Sequence, residues 1–220
     1  MLVNQTRIEQ TASRRLLDRE YRESDFPSRI SQLMAGVDYR RADSLAQREA
    51  IGYLRDQANR REGEASTTSA MTLADPFDET DNGYIFGLYV AGELASSLRI
   101  HVGSTSQPIF PSLEVFPEYL QPELDFGKVL IDKTRFVADE RLSRRHRDLP
   151  YATLRLCMMA AEHFDAVLLV AVVSAEQQPF YQRAFNFRMV CAPRPYPQAA
   201  KPLCLMMLHF PSVAGYLYER

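Results

Sequence analysis

Residues 128–139 read KVLIDKTRFVAD. Val129, Leu130, Ile131, Thr134, Phe136 and Val137 give this stretch the apolar and β-branched content of a strand. Two charges sit inside it, Asp132 and Arg135. Side chains alternate along a strand, so positions three apart face opposite sides of an ideal one. Both charges serve one pocket only if a bulge intervenes, or if one of them supports the site from behind. A buried charge needs a partner, which makes the pair a candidate site. The alternative is a strand whose charged residues pair with neighbours at its rim.

Downstream lies a basic loop, RLSRRHRDLP, carrying Arg141, Arg144, Arg145 and Arg147 around His146. Asp148 is the expected cap of the next helix, and Pro150 suits its first turn. That helix is predicted to reach about Phe164, because Tyr151, Leu154, Cys157, Met158, Ala161 and Phe164 recur with 3–4 spacing. Residues 167–173, VLLVAVV, are apolar on both faces, as in a central strand covered on each side. Ser174, with Gln177 three residues on, reads as a capping box that opens a short helix. Asn186 can end it, since Asn tolerates a left-handed conformation. Residues 187–191 and 203–210 read as two last strands around a Pro-rich loop.

Upstream, YIFGLYV (84–90) and LASSLRIHV (94–102) flank Ala91-Gly92-Glu93 and predict a hairpin. Residues 103–122 hold four prolines and no clear period, and read as a long connection. VDYRRA (37–42) alternates as a strand, and Ser44 caps a helix predicted to run to about Arg61. Residues 66–81 read as a surface excursion with an acidic cluster of Asp75, Asp78, Glu79 and Asp81. Residues 1–36 are polar and helix-rich, an N-terminal helical extension on a domain spanning 37–220. A hairpin followed by strand–helix–strand units predicts an α/β (α+β) fold, a mixed sheet with helices on both faces.

The composition is that of an ordinary globular chain: 220 residues, 46% hydrophobic, 25% charged, net charge -2. Nothing in that balance calls for nucleic acid. Cys157, Cys191 and Cys204 are odd in number and widely spaced, neither a disulfide framework nor a metal-ligand pattern. MLVNQTRIEQ lacks a signal-peptide core, and the longest apolar run, 166–173, is too short to span a bilayer. A cytoplasmic protein with no integral membrane segment is expected.

The element order, with PFYQRAFNF after a buried strand, resembles the GNAT acyltransferase superfamily, in which Tyr181 takes the place of a helix tyrosine and Asn186-Phe187 that of Gly-Phe. YLRDQANRREG, FDETD, GLYVAGELASSLRIHV, DKTRFVADERLSR and LPYATLRLCMMAAEHF follow in order over roughly residues 37–210. Together they resemble one branch: the acyl-homoserine-lactone (autoinducer) synthases and, more closely, the N-acyl amino acid synthases. The resemblance implies a mainly antiparallel GNAT-like central sheet. It carries family positions onto Arg55, onto Asp78 and Asp81, onto Arg99, and onto Asp132 with Arg135. The family's acid at position 132 is usually Glu, so Asp132 shortens the reach. The Gly-rich pyrophosphate loop of ordinary GNAT enzymes is absent, its place held by RLSRRHRDLP.

The implied reaction moves a long acyl chain from acyl carrier protein to the α-amine of an amino acid. Asp132 is the candidate to accept or relay the amine proton, or to orient the amine or Arg135. Tyr181 is the candidate to protonate the leaving thiolate, or an aromatic packed beside the last strands. Arg55, Asp78, Asp81 and Arg99 are expected at the substrate, with Arg99 or Arg135 on a carboxylate, or else joined in a structural network. Arg141, Arg144, Arg145 and Arg147 would meet the acidic carrier and its pantetheine phosphate, or form a solvated turn. Met158, Met159, Met206 and Met207, with Phe164 and Phe185, would line an apolar tunnel or fill the core. No metal and no permanently bound cofactor are expected. The donor is acyl-phosphopantetheine, on acyl carrier protein or as acyl-CoA. Alternative readings are an acyl-homoserine-lactone synthase using S-adenosylmethionine, a CoA-dependent N-acetyltransferase, and a non-catalytic domain binding acyl carrier protein or lipid.

Overall fold

The computed structural model describes residues 25–61, 75–196, 199 and 201–215. The expected extension before residue 25, and most of the 66–81 excursion, lie outside them. Residues 25–34 form a helix, α1, whose Ile30 and Leu33 are buried in the main core. The chain continues through β1 (Val37–Arg41), α2 (Leu45–Arg61), a 3-10 turn (Pro76–Glu79), β2 (Gly83–Val90) and β3 (Glu93–Gly103). Then come α3 (Pro111–Val115), α4 (Pro117–Asp125), β4 (Leu130–Ala138), α5 (Glu140–Arg145) and α6 (Leu149–His163). The last elements are β5 (Leu168–Val173), α7 (Gln178–Phe185), β6 (Arg188–Met189) and β7 (Cys204–His209).

The strands form one sheet in the order β1-β2-β3-β4-β5-β7-β6. Among the described strands only β4 and β5 run parallel; every other pair is antiparallel. Alternation sends Ile131, Leu169, Ala171 and Met206 to one face, where α1, α6 and α7 cover them. Leu130, Leu168, Val170 and Leu205 face the other side, against Phe110, Phe116, Leu120 and Leu124 of the α3–α4 segment. Covering both faces explains why 167–173 is apolar throughout.

Several local expectations hold for the physical reason given. Ser44 and Gln47 cap α2 reciprocally: the Gln47 N–H donates to Ser44 Oγ at 3.3 Å, and the Ser44 N–H to Gln47 Oε1 at 3.0 Å. Asn186 ends α7 at φ 63, and the hairpin turns through Ala91 (φ 51) and Gly92 (φ 83). Others are corrected. The connection over 103–122 contains two helices, because Pro111 and Pro117 stand in first turns, where a missing N–H costs nothing. The basic loop contains α5, capped by Asp139, whose carboxylate accepts from Leu142 N–H at 2.8 Å. Asp148 makes no side-chain cap to α6; it accepts instead from Arg29 at 2.9 Å and ties α1 to the sheet's helical layer. Ser174 N–H does donate to Gln177 Oε1, but α7 begins only at Gln178, with Pro179 in its first turn.

Two irregularities make the cleft. Between Ser97 and Arg99 of β3 the partner register on β4 advances from Val137 to Thr134, so β4 carries one extra residue there. Arg135, in that bulge, has φ 51. On its other side β4 pairs with β5 only from Leu130–Leu168 to Lys133–Ala171. Beyond that point β4 stays with β3 and β5 stays with β7, so the sheet splits.

Candidate active site

The split opens onto a cleft of about 590 Å³, within the range of small-molecule sites. Thr134, Arg135, Phe136 and Val137 of β4 form one wall and Val172 lies on the β5 side. Arg99, Asp75, Phe77, Glu114, Lys133, Tyr181 and Tyr196 also reach it. The β4 backbone here has no strand partner on the β5 side among the described residues, which leaves its amide groups open to a ligand.

The bulge re-aims Arg135 toward the acidic turn before β2. Its guanidinium meets Asp75 at 2.9 Å through Nε and 2.8 Å through Nη2. Arg99, only 1% exposed, bonds Asp78 at 2.7 Å, Asp75 at 3.0 Å and Thr134 Oγ1 at 3.0 Å. Arg55, reaching in from α2, bonds Asp78 at 2.5 Å. Its Nε and Nη2 have no partner among the described residues. Burial alone would raise the Asp75 carboxyl; the Arg99 and Arg135 guanidiniums outweigh it and hold the pKa below the ordinary value. Burial pulls Arg55 below its usual range against the pull of Asp78.

Asp132 stands apart. It is 0% exposed and does not reach the cleft. Its carboxylate accepts from Ser112 N–H at 3.1 Å and from Ser112 Oγ–H at 2.7 Å. Burial raises its pKa, and the Ser112 hydrogen bonds only partly offset that. Asp132 therefore fastens the start of α3 to the sheet, and Arg135 finds Asp75. On the opposite face of β4, Lys133 donates from Nζ to the Tyr181 hydroxyl at 2.6 Å. Tyr196, across the cleft, stacks on Phe116, and burial raises its pKa.

The structure thus gathers Arg55, Asp78, Arg99, Arg135 and Tyr181 at or behind one cleft. Asp81 is exposed and does not line it. Arg141, Arg144, Arg145 and Arg147 are exposed just beyond the end of β4; Arg141 pairs with Glu93 and Arg144 with Glu140. Met158, Met206 and Phe185 fill the core and Met159 is exposed, so none of these lines the cleft. Its apolar walls are instead Phe77, Ile109, Val115, Phe136, Val172 and Leu203. Lys133 and Glu114 are not among the candidates drawn from the sequence, Thr134 enters only as a strand former, and Asp75 only as part of an acidic cluster. Lys133 was within reach: a residue one place from Asp132 must leave the other face of the strand.

A mixed sheet split between its parallel pair, with a tyrosine and arginines at the opening, is the architecture of the GNAT-type acyltransferases. The chain belongs to the N-acyl amino acid synthase FeeM family, whose model matches residues 50–209. Among solved structures it is similar to FeeM, an N-acyl amino acid synthase from uncultured soil microbes, with TM-score 0.69 and 16% identity, over 84% of this chain and 98% of that one. An acyl-CoA N-acyltransferase from Pseudomonas aeruginosa shares the fold with TM-score 0.54 and 19% identity, over 78% and 98%. So does the ribosomal-protein-S18-alanine N-acetyltransferase from Escherichia coli, with TM-score 0.52 and 13% identity, over 79% and 94%. No curated protein matches the chain. Among the described residues, no helix is long and apolar enough to cross a membrane.

Proposed function

We propose that this N-acyltransferase moves a long acyl group from the phosphopantetheine of acyl carrier protein to the α-amine of an amino acid. The observation that carries the reading is the split between β4 and β5, with the bulged β4 backbone on one side and the Tyr181 hydroxyl at its closed end. A pantetheine arm is an extended amide chain, and it pairs there with strand backbone that the sheet leaves open. The apolar walls take the acyl chain. The oxyanion formed on attack is met by β4 amide groups near the bulge, and Tyr181 gives its proton to the departing sulfur.

Arg99 and Arg135 line the cleft, and a guanidinium grips a carboxylate in bidentate geometry. They are the anchor for the acceptor's carboxylate, with Asp75, Asp78 and Arg55 holding them in place. The α-amine, with an ordinary pKa of about 7.7–8.0, needs only modest help to lose a proton. Glu114 lines the cleft without an ion pair among the described residues and takes that proton, directly or through water. Asp132 serves from behind by seating α3, which carries Glu114 and Val115. Arg141, Arg144, Arg145 and Arg147 project where the donor enters, and their charge suits an acidic carrier.

The test is Arg135→Met with acyl-carrier-protein donor and amino acid acceptor. The KM for the amino acid is expected to rise by about tenfold or more while that for the donor stays put, as for loss of one charged hydrogen-bonding partner. A decarboxylated acceptor should be equally poor with both enzymes. Equal discrimination by the variant would remove Arg135 from carboxylate recognition.

A further inference from the structure

Lys133 is the charged residue of β4 for which the reaction above has no task. It sits at the apex of the split, in the last pair that β4 makes with β5, opposite Ala171. Its side chain leaves the face toward α6 and α7, and is buried beside Ile131, Leu154 and Cys157. Nζ reaches the Tyr181 hydroxyl at 2.6 Å and lies 5.0 Å from that ring's centroid and 5.8 Å from that of Phe136. Lys133 and Tyr181 both open onto the cleft.

An ammonium has three N–H donors and no lone pair. At this contact the Tyr181 oxygen must accept, so its own proton points away from Lys133. The cleft is the opening the pair shares. We propose that Lys133 is a positioning residue for acyl transfer, which commits the Tyr181 proton to the leaving sulfur and then stabilises the tyrosinate. The inference rests on the acyl-transfer reading. In the step, the C–N bond forms and the C–S bond breaks. The sulfur's electron pair takes the phenolic proton, leaving tyrosinate against the ammonium. The acceptor nitrogen gives its proton to Glu114 and through it to solvent, and solvent returns one to Tyr181 before the next turnover. A charge in this apolar setting costs stability; here it is placed where negative charge develops on the phenol oxygen.

The test varies the leaving group. Wild type, Lys133→Met, Lys133→Arg, Tyr181→Phe and the Lys133→Met/Tyr181→Phe double variant are compared on two carrier-free palmitoyl thioesters. One is the thioester of N-acetylcysteamine, whose basic alkyl thiolate needs a proton. The other is the thioester of 4-nitrothiophenol, whose thiolate leaves without one. On the alkyl donor, Lys133→Met and Tyr181→Phe should each lose on the order of 10²-fold in kcat/KM, as for loss of a general acid. The double variant should be no worse than either single one, since the two act as a unit. Lys133→Arg should recover most of the rate. On the aryl donor the same variants should fall within about threefold of wild type, because proton donation no longer limits. Equal losses on both donors would show a structural role and overturn the inference, as would an unaltered alkyl rate in Lys133→Met. A wild type inert on both donors and on palmitoyl-acyl carrier protein as well overturns the acyl-transfer reading and the inference with it; if only the carrier-bound donor is used, the alkyl comparison is made on it. If Lys133→Met does not fold, Lys133→Gln carries the same comparison.

Discussion

His101 lies on β3 with its ring fully enclosed, and its Nε2 meets the Phe77 carbonyl at 3.0 Å. A carbonyl only accepts, so Nε2 carries the proton and Nδ1 has no partner among the described residues. Burial, reinforced by the Arg99 charge, lowers its pKa to about 4 from 6.5. The sign follows directly. Between those values the unfolded chain binds a proton that the folded chain refuses, so stability is full above pH 6.5 and falls as pH drops toward 4. The contribution is on the order of 3 kcal/mol by linkage. Urea unfolding across that window should show a shallower acid loss in His101→Gln than in wild type; parallel curves would contradict the assignment. Asp132 offers a second contrast. Asp132→Ala leaves the Ser112 N–H and O–H unpartnered in the interior and should cost about 1–3 kcal/mol in urea unfolding. With α3 loosened, the acceptor's KM should rise more than kcat falls. A large drop in kcat at unchanged stability would instead make Asp132 a proton carrier. The strand pattern of 128–139 made Asp132 and Arg135 visible as charges needing partners. It could not say which partners, because Asp75 and Ser112 are 60 and 20 residues away from them.

Elements were legible where pattern and local chemistry agree. The Ser44–Gln47 box, the Ala91-Gly92 turn and the Asn186 terminus each depend on neighbours in the chain. α3 and α4 were not, because each is short and opens with a proline, which in a sequence reads as a breaker. The β4 bulge is likewise silent: an extra residue leaves no mark in a run of β-formers, and the bulge aims Arg135 at Asp75 rather than bringing it together with Asp132. Backbone and side chain at the bulge can be separated by Arg135→Gly. Glycine adopts φ 51 freely, so relief of that strain should offset the lost ion pair, with a net stability change within about 1 kcal/mol by thermal or urea unfolding. Acceptor binding should fall as in Arg135→Met. A severely destabilised Arg135→Gly would mean that the side chain builds the cleft. At the end of β3, a Cβ on Gly103 would run into the Phe110 ring, which is itself buried at the start of α3. Gly103→Ala should therefore cost about 1–3 kcal/mol as overpacking, and should weaken acceptor binding because Phe110 leads into the helix that Asp132 holds.

At the scale of the molecule, one sheet does two jobs. Its outer strands stay paired throughout, while β4 and β5, the only parallel pair among the described strands, come apart after four registered pairs and leave a cleft. Polar side chains reach that cleft from α2, the acidic turn, β3, β4 and α7. Residues so far apart in sequence meet only because the strand order places β3, β4 and β5 side by side. The fold was readable from the element order, and the family resemblance agreed with it. The depth of the cleft, the exposure of Asp81 and the Lys133–Tyr181 contact were not, since each depends on how the sheet splits. The most direct measurement is to incubate the full chain with palmitoyl- and myristoyl-acyl carrier protein and the pooled amino acids, and to search for acyl amides by mass spectrometry. The account predicts an N-acyl amino acid that grows with enzyme and time. A folded chain that forms no acyl amide from any amino acid in the pool would contradict it.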